Sequence, residues 1–490
     1  MILRDLCNKC WNAESLPDSW YTASIATIFK KGDDSLPANY RPISLLTVGY
    51  KILATMIHAR IVKGGSEQRL RDSQFGFRRK RNVIDAIFIV QQLIDGAWEG
   101  KDTSLSIIFL DWSKAFDKVD PQALIVALRR FGIPEKMVRM IGGIYAKRSF
   151  VIKDQGHTSN LMEQGTGIAQ GCPLSPYLFV IMLTMVFADV EEALRVLGLP
   201  DEWVDVAYAD DVALSADNPV FLQIVLDCLI RSAAVYGLKP NWDKTVHFRS
   251  RHENHLHDPS GAPIKVVTQF TYLGSFLSAD GKADYAVGRR IGESRSAFKS
   301  LQVVWNHANL TRARKLEVFD ACVMSKLMFS LEPMCLKLKE RTRIDAFQAQ
   351  SLRRILGIAH SMFSHVSNDT VRQVAKRVPA SFMLHSRQLI LFGKIALATP
   401  GSCLRTALLK PGTYEPIIFQ GIRRRGRPRL SWARVVHARA IELVGGCQLQ
   451  LDQFFRDKGI HQWKYHVHNI VVCVLHMRAA AHVHIGPKLF

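Results

Sequence analysis

Three aspartates stand where carboxylates are costly. Asp111 ends the apolar run Ser106-Ile107-Ile108-Phe109-Leu110, and Asp210-Asp211 fall between two short stretches, Val204-Asp205-Val206-Ala207-Tyr208 and Val212-Ala213-Leu214. Brought into one site with apolar walls, three such groups repel one another unless a cation neutralises them. An all-oxygen donor set favours a hard ion, Mg²⁺ with Mn²⁺ as its substitute. Ions of this kind support nucleotidyl transfer: one lowers the pKa of an attacking hydroxyl, and the other holds the triphosphate and its leaving group. A single Asp at a strand end more often does no more than cap backbone groups. A pair inside a tight apolar hairpin is harder to explain that way.

The elements that must position these groups are legible in the chain. The continuous apolar run at 106–110 marks a buried strand. Val204, Val206 and Tyr208 alternate with other residues and lead through Ala209-Asp210-Asp211 into a second run, which predicts a hairpin with an acidic turn. Asp120-Pro121 opens a helix, with Asp as N-cap and Pro at the first helical position. Leu124, Ile125, Leu128 and Phe131 form its apolar face, and Gly132 ends it. Asn218-Pro219 opens another helix, with Phe221, Leu222, Val225, Leu226 and Leu229 on one face and Gly237 at its end. Helices mixed with a small sheet imply the α+β class. After Tyr285 strand signals fade and helical patterns dominate, while 252–263 and 399–426 read as loops.

Composition narrows the partners. Over 490 residues, 65 Lys and Arg against 43 Asp and Glu give a net charge of +22, which points to a polyanion, nucleic acid first. A solvated basic face, or a ribosome- or membrane-surface binder, has the same charge signature. Basic runs occur at 78–81 and 423–429, the second holding Arg423-Arg424-Arg425-Gly426-Arg427-Pro428-Arg429. The 9 cysteines are odd in number and irregularly spaced, so no disulfide framework is expected and a reducing compartment is. The longest apolar stretch, at 177–188, falls short of the ~20 residues of a membrane span. No signal-peptide core opens the chain. These features predict a soluble intracellular protein with no membrane partner. Cys7-Asn8-Lys9-Cys10 lacks a second pair, so zinc is not expected there. His461, His466, His468, Cys473, His476, His482 and His484 do not reproduce a zinc-knuckle spacing.

Set in order, the motifs resemble those of reverse transcriptases of non-LTR, LINE-like retrotransposons, collinearly over about 16–281. Phe29-Lys30-Lys31-Gly32-Asp33 with Asn39-Tyr40-Arg41-Pro42-Ile43-Ser44-Leu45 looks like the N-terminal fingers block. Ser73-Gln74-Phe75-Gly76-Phe77-Arg78 is similar to the second fingers motif. Phe109-Leu110-Asp111-Trp112-Ser113-Lys114-Ala115-Phe116-Asp117 resembles polymerase motif A, and Gln170-Gly171-Cys172-Pro173-Leu174-Ser175-Pro176 motif B. Tyr208-Ala209-Asp210-Asp211 looks like motif C, Gly237-Leu238-Lys239-Pro240-Asn241 with Lys244-Thr245 motif D, and Tyr272-Leu273-Gly274-Ser275 the primer grip of motif E.

The resemblance implies a right-hand polymerase with a small antiparallel palm sheet. Fingers would span 1–104, palm with interleaved fingers elements 105–284, a helical thumb 285–360 and a basic, mainly helical C-terminal segment 361–490. It implies RNA-directed DNA polymerase activity, with an RNA template, a DNA primer, dNTPs and Mg²⁺ as partners, and an endonuclease, where one acts, supplied in trans. Asp111, Asp210 and Asp211 become the metal ligands, with Asp211 less direct and the Trp112 carbonyl beside them. Asp117 is then structural. Phe116 becomes a steric gate against a 2′-hydroxyl, although a core Phe is the plain alternative. Arg41 and Arg78 face the triphosphate, while Gln170 and Gly171 lie near the nascent base pair. Lys244 becomes a proton donor to the leaving pyrophosphate, or an ordinary surface lysine. Tyr272, Leu273 and Gly274 hold the primer. The segment Ser330-Leu331-Glu332-Pro333-Met334 departs from the family pattern. The run at 423–429 suits phosphate contact or nuclear import. Two alternatives stay open: a retroelement remnant that binds nucleic acid without turnover, and another right-hand polymerase such as a maturase or an RNA-dependent RNA polymerase.

Overall fold

The acidic hairpin forms as its sequence predicts. In a computed structural model, which describes residues 2–99, 103–154, 156–200, 202–250, 252–417 and 429–469, the strand Val204–Tyr208 pairs antiparallel with Asp211–Ala216. Asp211–Ala216 pairs in turn with Leu105–Leu110, antiparallel, in the register Leu110↔Val212 to Ser106↔Ala216. Every residue of Leu105–Leu110 is buried, as a strand covered on both faces requires. The helices Pro121–Arg130 and Pro219–Val235 pack on the 22-residue helix Ser175–Val196, and Pro219–Val235 also packs on Asp211–Ala216. Their caps are those expected: the side chain of Asp120 accepts from Gln122 and Ala123, and that of Asn218 from Val220 and Phe221.

These elements belong to one of two compact units, made of Met1–Val83, Ser106–His247 and Glu253–Val266. A second sheet in the same unit pairs Thr22–Phe29 antiparallel with Tyr40–Leu45 and parallel with Ser149–Asp154. The helix Ile2–Ala13 turns both Cys7 and Cys10 into the unit's core, which makes the CxxC pair a packing feature. The apolar stretch at 177–188 is core as well, inside Ser175–Val196, and no helix among the described residues is long and apolar enough to cross a membrane.

The other unit comprises Ile84–Leu105, Phe248–His252 and Val267–Phe490. These units cut across the four segments expected from sequence, since 84–104 and 267–284 pack with the helical part. It is mainly helical, with Asp284–Ser300, Leu338–Leu356, Ala380–Ala396 and Trp432–Val444 as principal helices. The atypical segment at 330–334 is well packed. Leu331 is fully buried, Glu332 pairs with Arg387 at 3.0 Å, and the Glu332 carbonyl accepts from Trp432 at 2.6 Å. Arg423 to Pro428 of the basic run, and Cys473, His476, His482 and His484, lie outside the described residues.

The strand Val204–Tyr208 buries Asp205 and leaves Val204 exposed. The reason is Arg71, whose Nε and Nη2 each lie 2.9 Å from the two Asp205 oxygens. Ser73 also donates to Asp205, Glu191 takes a third Arg71 donor, and the guanidinium lies over the rings of Phe187 and Trp203. Removing one partner of such a pair leaves the other charge uncompensated in the interior. Arg71→Ala, which leaves the buried Asp205 carboxylate without its cation, is therefore expected to lower unfolding free energy by about 3–5 kcal/mol, measured by urea denaturation. The exposed pair Arg195–Glu192 serves as the control. Breaking it by Arg195→Ala should leave the denaturation midpoint nearly unchanged in the same measurement.

Candidate active site

Asp111 lies at the end of the central strand, one residue past the Leu110↔Val212 pair, and so beside Asp211 on the neighbouring strand. The turn between Val204–Tyr208 and Asp211–Ala216 has only two residues, Ala209 and Asp210. The sheet register thus brings all three carboxylates to one edge. Burial pushes the Asp210 and Asp211 carboxyls up, Asp211 to about 6, and the charge of Asp111 adds to both shifts. Both side chains keep an open side to solvent, so this is a cleft rather than an interior. Two cations counter the repulsion: Lys244 acts on both carboxyls and Arg41, from the strand Tyr40–Leu45, acts on Asp210.

The loop carrying Lys244 is stitched to the end of the Asp111 strand. Asn241 donates to the Asp111 carbonyl at 2.8 Å, Ser113 donates to the Lys239 carbonyl at 2.8 Å, and Trp112 bridges Pro240. Lys244 Nζ then reaches Asp111 Oδ2 at 3.2 Å. Among the described residues no group of three His, Cys, Asp or Glu side chains stands arranged to hold a metal ion. The donor set itself is nonetheless oxygen-only and electrostatically strained, which is the chemistry a hard divalent cation relieves.

Around this centre the expected residues divide. Phe116 is half-buried, its ring stacked on Phe179 with centroids 5.0 Å apart and planes at 12°. Asp117 accepts from Gln170 Nε2 at 2.9 Å, in keeping with a structural role, and the Gln170 carbonyl accepts from Ser44 at 2.7 Å. Gly171 has φ +111°, and a Cβ there would lie 2.7 Å from the Ser44 carbonyl oxygen, so its close approach is to the strand Tyr40–Leu45. Arg78 is placed otherwise than its motif suggested. Its buried guanidinium donates to the carbonyls of Glu67 at 2.7 Å and Arg71 at 2.8 Å, and faces the Glu67 carboxylate. Arg41 stays exposed.

Tyr272, Leu273 and Gly274 lie in the other unit, at the turn of the hairpin Gln269–Tyr272 and Ser275–Ser278. Arg290 fixes that turn, donating to the Gly274 carbonyl and, at 3.0 Å, to Ser330, between the rings of Phe276 and Phe329. Sequence reading passed over Arg71 and took Arg290 only as one of the basic residues of a helix that could contact phosphates, because nothing in a run of basic residues distinguishes an internal guanidinium from a surface one. It also passed over Gln74 as an individual residue. Gln74 Oε1 accepts from Gly76 at 2.8 Å and from Ala209, the residue before Asp210, at 2.9 Å.

Residues 28–277 match the family model described as reverse transcriptase (RNA-dependent DNA polymerase). Over 235 residues the chain is 34% identical to the transposon TX1 uncharacterized 149 kDa protein of Xenopus laevis, covering 47% of this chain and 18% of that protein. It is 26% identical over 331 residues to the retrovirus-related Pol polyprotein from type-1 retrotransposable element R2 of Popillia japonica, covering 65% and 45% respectively. It is also 26% identical over 368 residues to the RNA-directed DNA polymerase from mobile element jockey of Drosophila melanogaster, covering 71% and 39%. The chain thus spans less than half the length of each of these relatives.

The Gly171 contact yields a direct expectation. Gly171→Ala forces a side chain into a left-handed backbone against a carbonyl, at a cost of about 1–3 kcal/mol, and should speed amide exchange at Ser44. Gly292→Ala, in open space on the helix Asp284–Ser300, should instead stabilise by roughly 0.5–1 kcal/mol. Thermal denaturation and hydrogen exchange read both.

Proposed function

The chain belongs to the reverse transcriptase (RNA-dependent DNA polymerase) family, in its non-LTR, LINE-like branch, and from that premise we propose that it extends a DNA 3′-hydroxyl on an RNA template with dNTPs. The observation that carries this reading is the sheet register that sets Asp111 beside Asp210-Asp211 at one edge, under the fields of Arg41 and Lys244. Asp111, Asp210 and Asp211 would hold Mg²⁺ or Mn²⁺, which supplies activation of the primer hydroxyl and neutralisation of the triphosphate.

The protein's own groups have separable tasks. Arg41 is exposed and close enough to Asp210 to act on its charge, so its guanidinium meets the incoming triphosphate, while Arg78 braces the protein. Lys244 holds Asp111 in the metal-free state. Its ammonium also stands where it can donate a proton to the departing pyrophosphate. Phe116, kept from yielding by the Phe179 ring beneath it, excludes a 2′-hydroxyl by shape. Gln170 and Gly171 shape the floor under the nascent pair through Asp117 and Ser44, and the turn at Tyr272, Leu273 and Gly274 holds the primer. The basic run at 423–429 supports entry to the nucleus.

Primer extension on an RNA template with Mg²⁺ tests this reading. Wild-type protein should extend, and Asp210→Ala should show no extension above background. Folded wild type that binds the duplex and adds no nucleotide would establish the remnant reading instead. In the same assay Phe116→Val should narrow the preference for dNTP over rNTP by at least about tenfold. Unchanged discrimination would make Phe116 a core residue only.

A further inference from the structure

The turn that carries Asp210 is held in an unfavourable shape. Ala209 has φ +59°, at the first central position of a two-residue hairpin, where glycine is the usual choice. A non-glycine residue there costs roughly 1–2 kcal/mol and persists only where its surroundings fix it. The surroundings are the segment 73–76. Phe75 donates to the Ala207 carbonyl at 2.7 Å, and Ala207 donates to the Ser73 carbonyl at 3.0 Å. Gln74, only 2% exposed, sets Oε1 between the N–H groups of Gly76 and Ala209, at 2.8 and 2.9 Å. Gly76 makes the approach feasible, since a Cβ there would stand 2.3 Å from the Ala209 nitrogen.

Both ends of this segment are anchored. Arg71 grips Asp205 on the strand leading into the turn, and Arg78 donates to the carbonyls of Arg71 and Gln74. The Gln74 amide oxygen is therefore delivered by a braced scaffold to the residue preceding Asp210. A buried acceptor that satisfies two backbone donors has two penalties attached to its loss: the Ala209 and Gly76 N–H groups go unpaired, and the positive φ of Ala209 loses its restraint.

We propose that Gln74 is a positioning residue for the metal-binding carboxylates: through the Ala209 N–H it fixes the turn that presents Asp210 to Asp111. This rests on the carboxylates serving as metal ligands, as set out above. It adds to that reading a part of the second fingers motif acting on the catalytic turn through backbone, with no contact to substrate.

The test uses the full chain and three readouts. The variants are Gln74→Met, which keeps length and loses the acceptor, and Gln74→Glu, which keeps an acceptor oxygen. Amide exchange at Ala209 in metal-free protein reads the clamp itself. Mn²⁺ titration followed by electron paramagnetic resonance reads the carboxylates without turnover. Primer extension gives kcat and the KM for dNTP. Gln74→Met should lose protection at Ala209, weaken Mn²⁺ binding by roughly 10–100-fold, as loss of a ligand-orienting partner does, and lower kcat with KM for dNTP little changed. Gln74→Glu should retain the Ala209 protection. Protection kept in Gln74→Met overturns the proposal, as does protection lost with Mn²⁺ affinity as in wild type. If Gln74→Met does not fold, the same comparison is made with Gln74→Asn, whose shorter side chain withdraws the oxygen from the Ala209 N–H: lost protection with weakened Mn²⁺ binding is expected, and protection kept, or lost with Mn²⁺ affinity as in wild type, overturns it. A wild type that binds Mn²⁺ and extends no primer removes the polymerase reading alone, because the Mn²⁺ difference still decides the role of Gln74.

Discussion

Mutual repulsion among Asp111, Asp210 and Asp211 is the constraint around which the first unit is arranged. Three carboxylates at one sheet edge resist being gathered, and burial makes the resistance stronger, as the raised Asp210 and Asp211 carboxyls record. No gain from packing their own side chains offsets this. The geometry must be imposed by the backbone on which they stand. A central strand buried on both faces, locked in register to the hairpin from Leu110↔Val212 to Ser106↔Ala216, supplies a frame too rigid to let the three groups drift apart.

Two short segments complete that frame from opposite sides of the site's residues. The loop 239–245 is bonded to the Asp111 end of its strand through the Asp111 carbonyl and the Ser113 N–H, and delivers Lys244. The segment 71–78 is bonded to the hairpin through Asp205, Ala207 and Ala209. One brings charge that lowers the repulsion, and the other brings hydrogen bonds that oppose its consequences. The same logic recurs at the Tyr272-Leu273-Gly274 turn, where Arg290 ties a strained turn to Ser330.

Much of this was legible because it is local. The strand at 106–110, the acidic hairpin and the helices capped by Asp120 and Asn218 announce themselves through periodicity and caps, and the motifs singled out the three aspartates that the sheet register gathers. What was not legible depends on partners far away in the chain. The burial of Asp205 follows from Arg71, 134 residues distant, and no alternation pattern encodes that. Gln74 reads as one polar residue in a motif until Ala209, 135 residues on, is placed against it. The packing of 330–334 likewise depends on Arg387 and Trp432, so an unusual local sequence there did not mean a poorly formed element.

Net charge was the feature most open to misreading. A surplus of +22 suggests a surface made for phosphate, yet several guanidiniums are internal struts. Arg78 is bonded to Glu67 and Arg71. Arg290, Arg353, Arg372 and Arg405 are all buried, and Arg353 alone reaches the Ala359 carbonyl and Asn368. A planar fork with five donors satisfies several carbonyls at once, which a lysine does not. Exposure separates the arginines of the site: Arg41 lies open beside Asp210, whereas Arg78, in a motif of the same kind, has given its donors to the protein. Basic composition sets an upper bound on the polyanion-binding surface, and the internal hydrogen bonds determine how far below that bound the true surface lies.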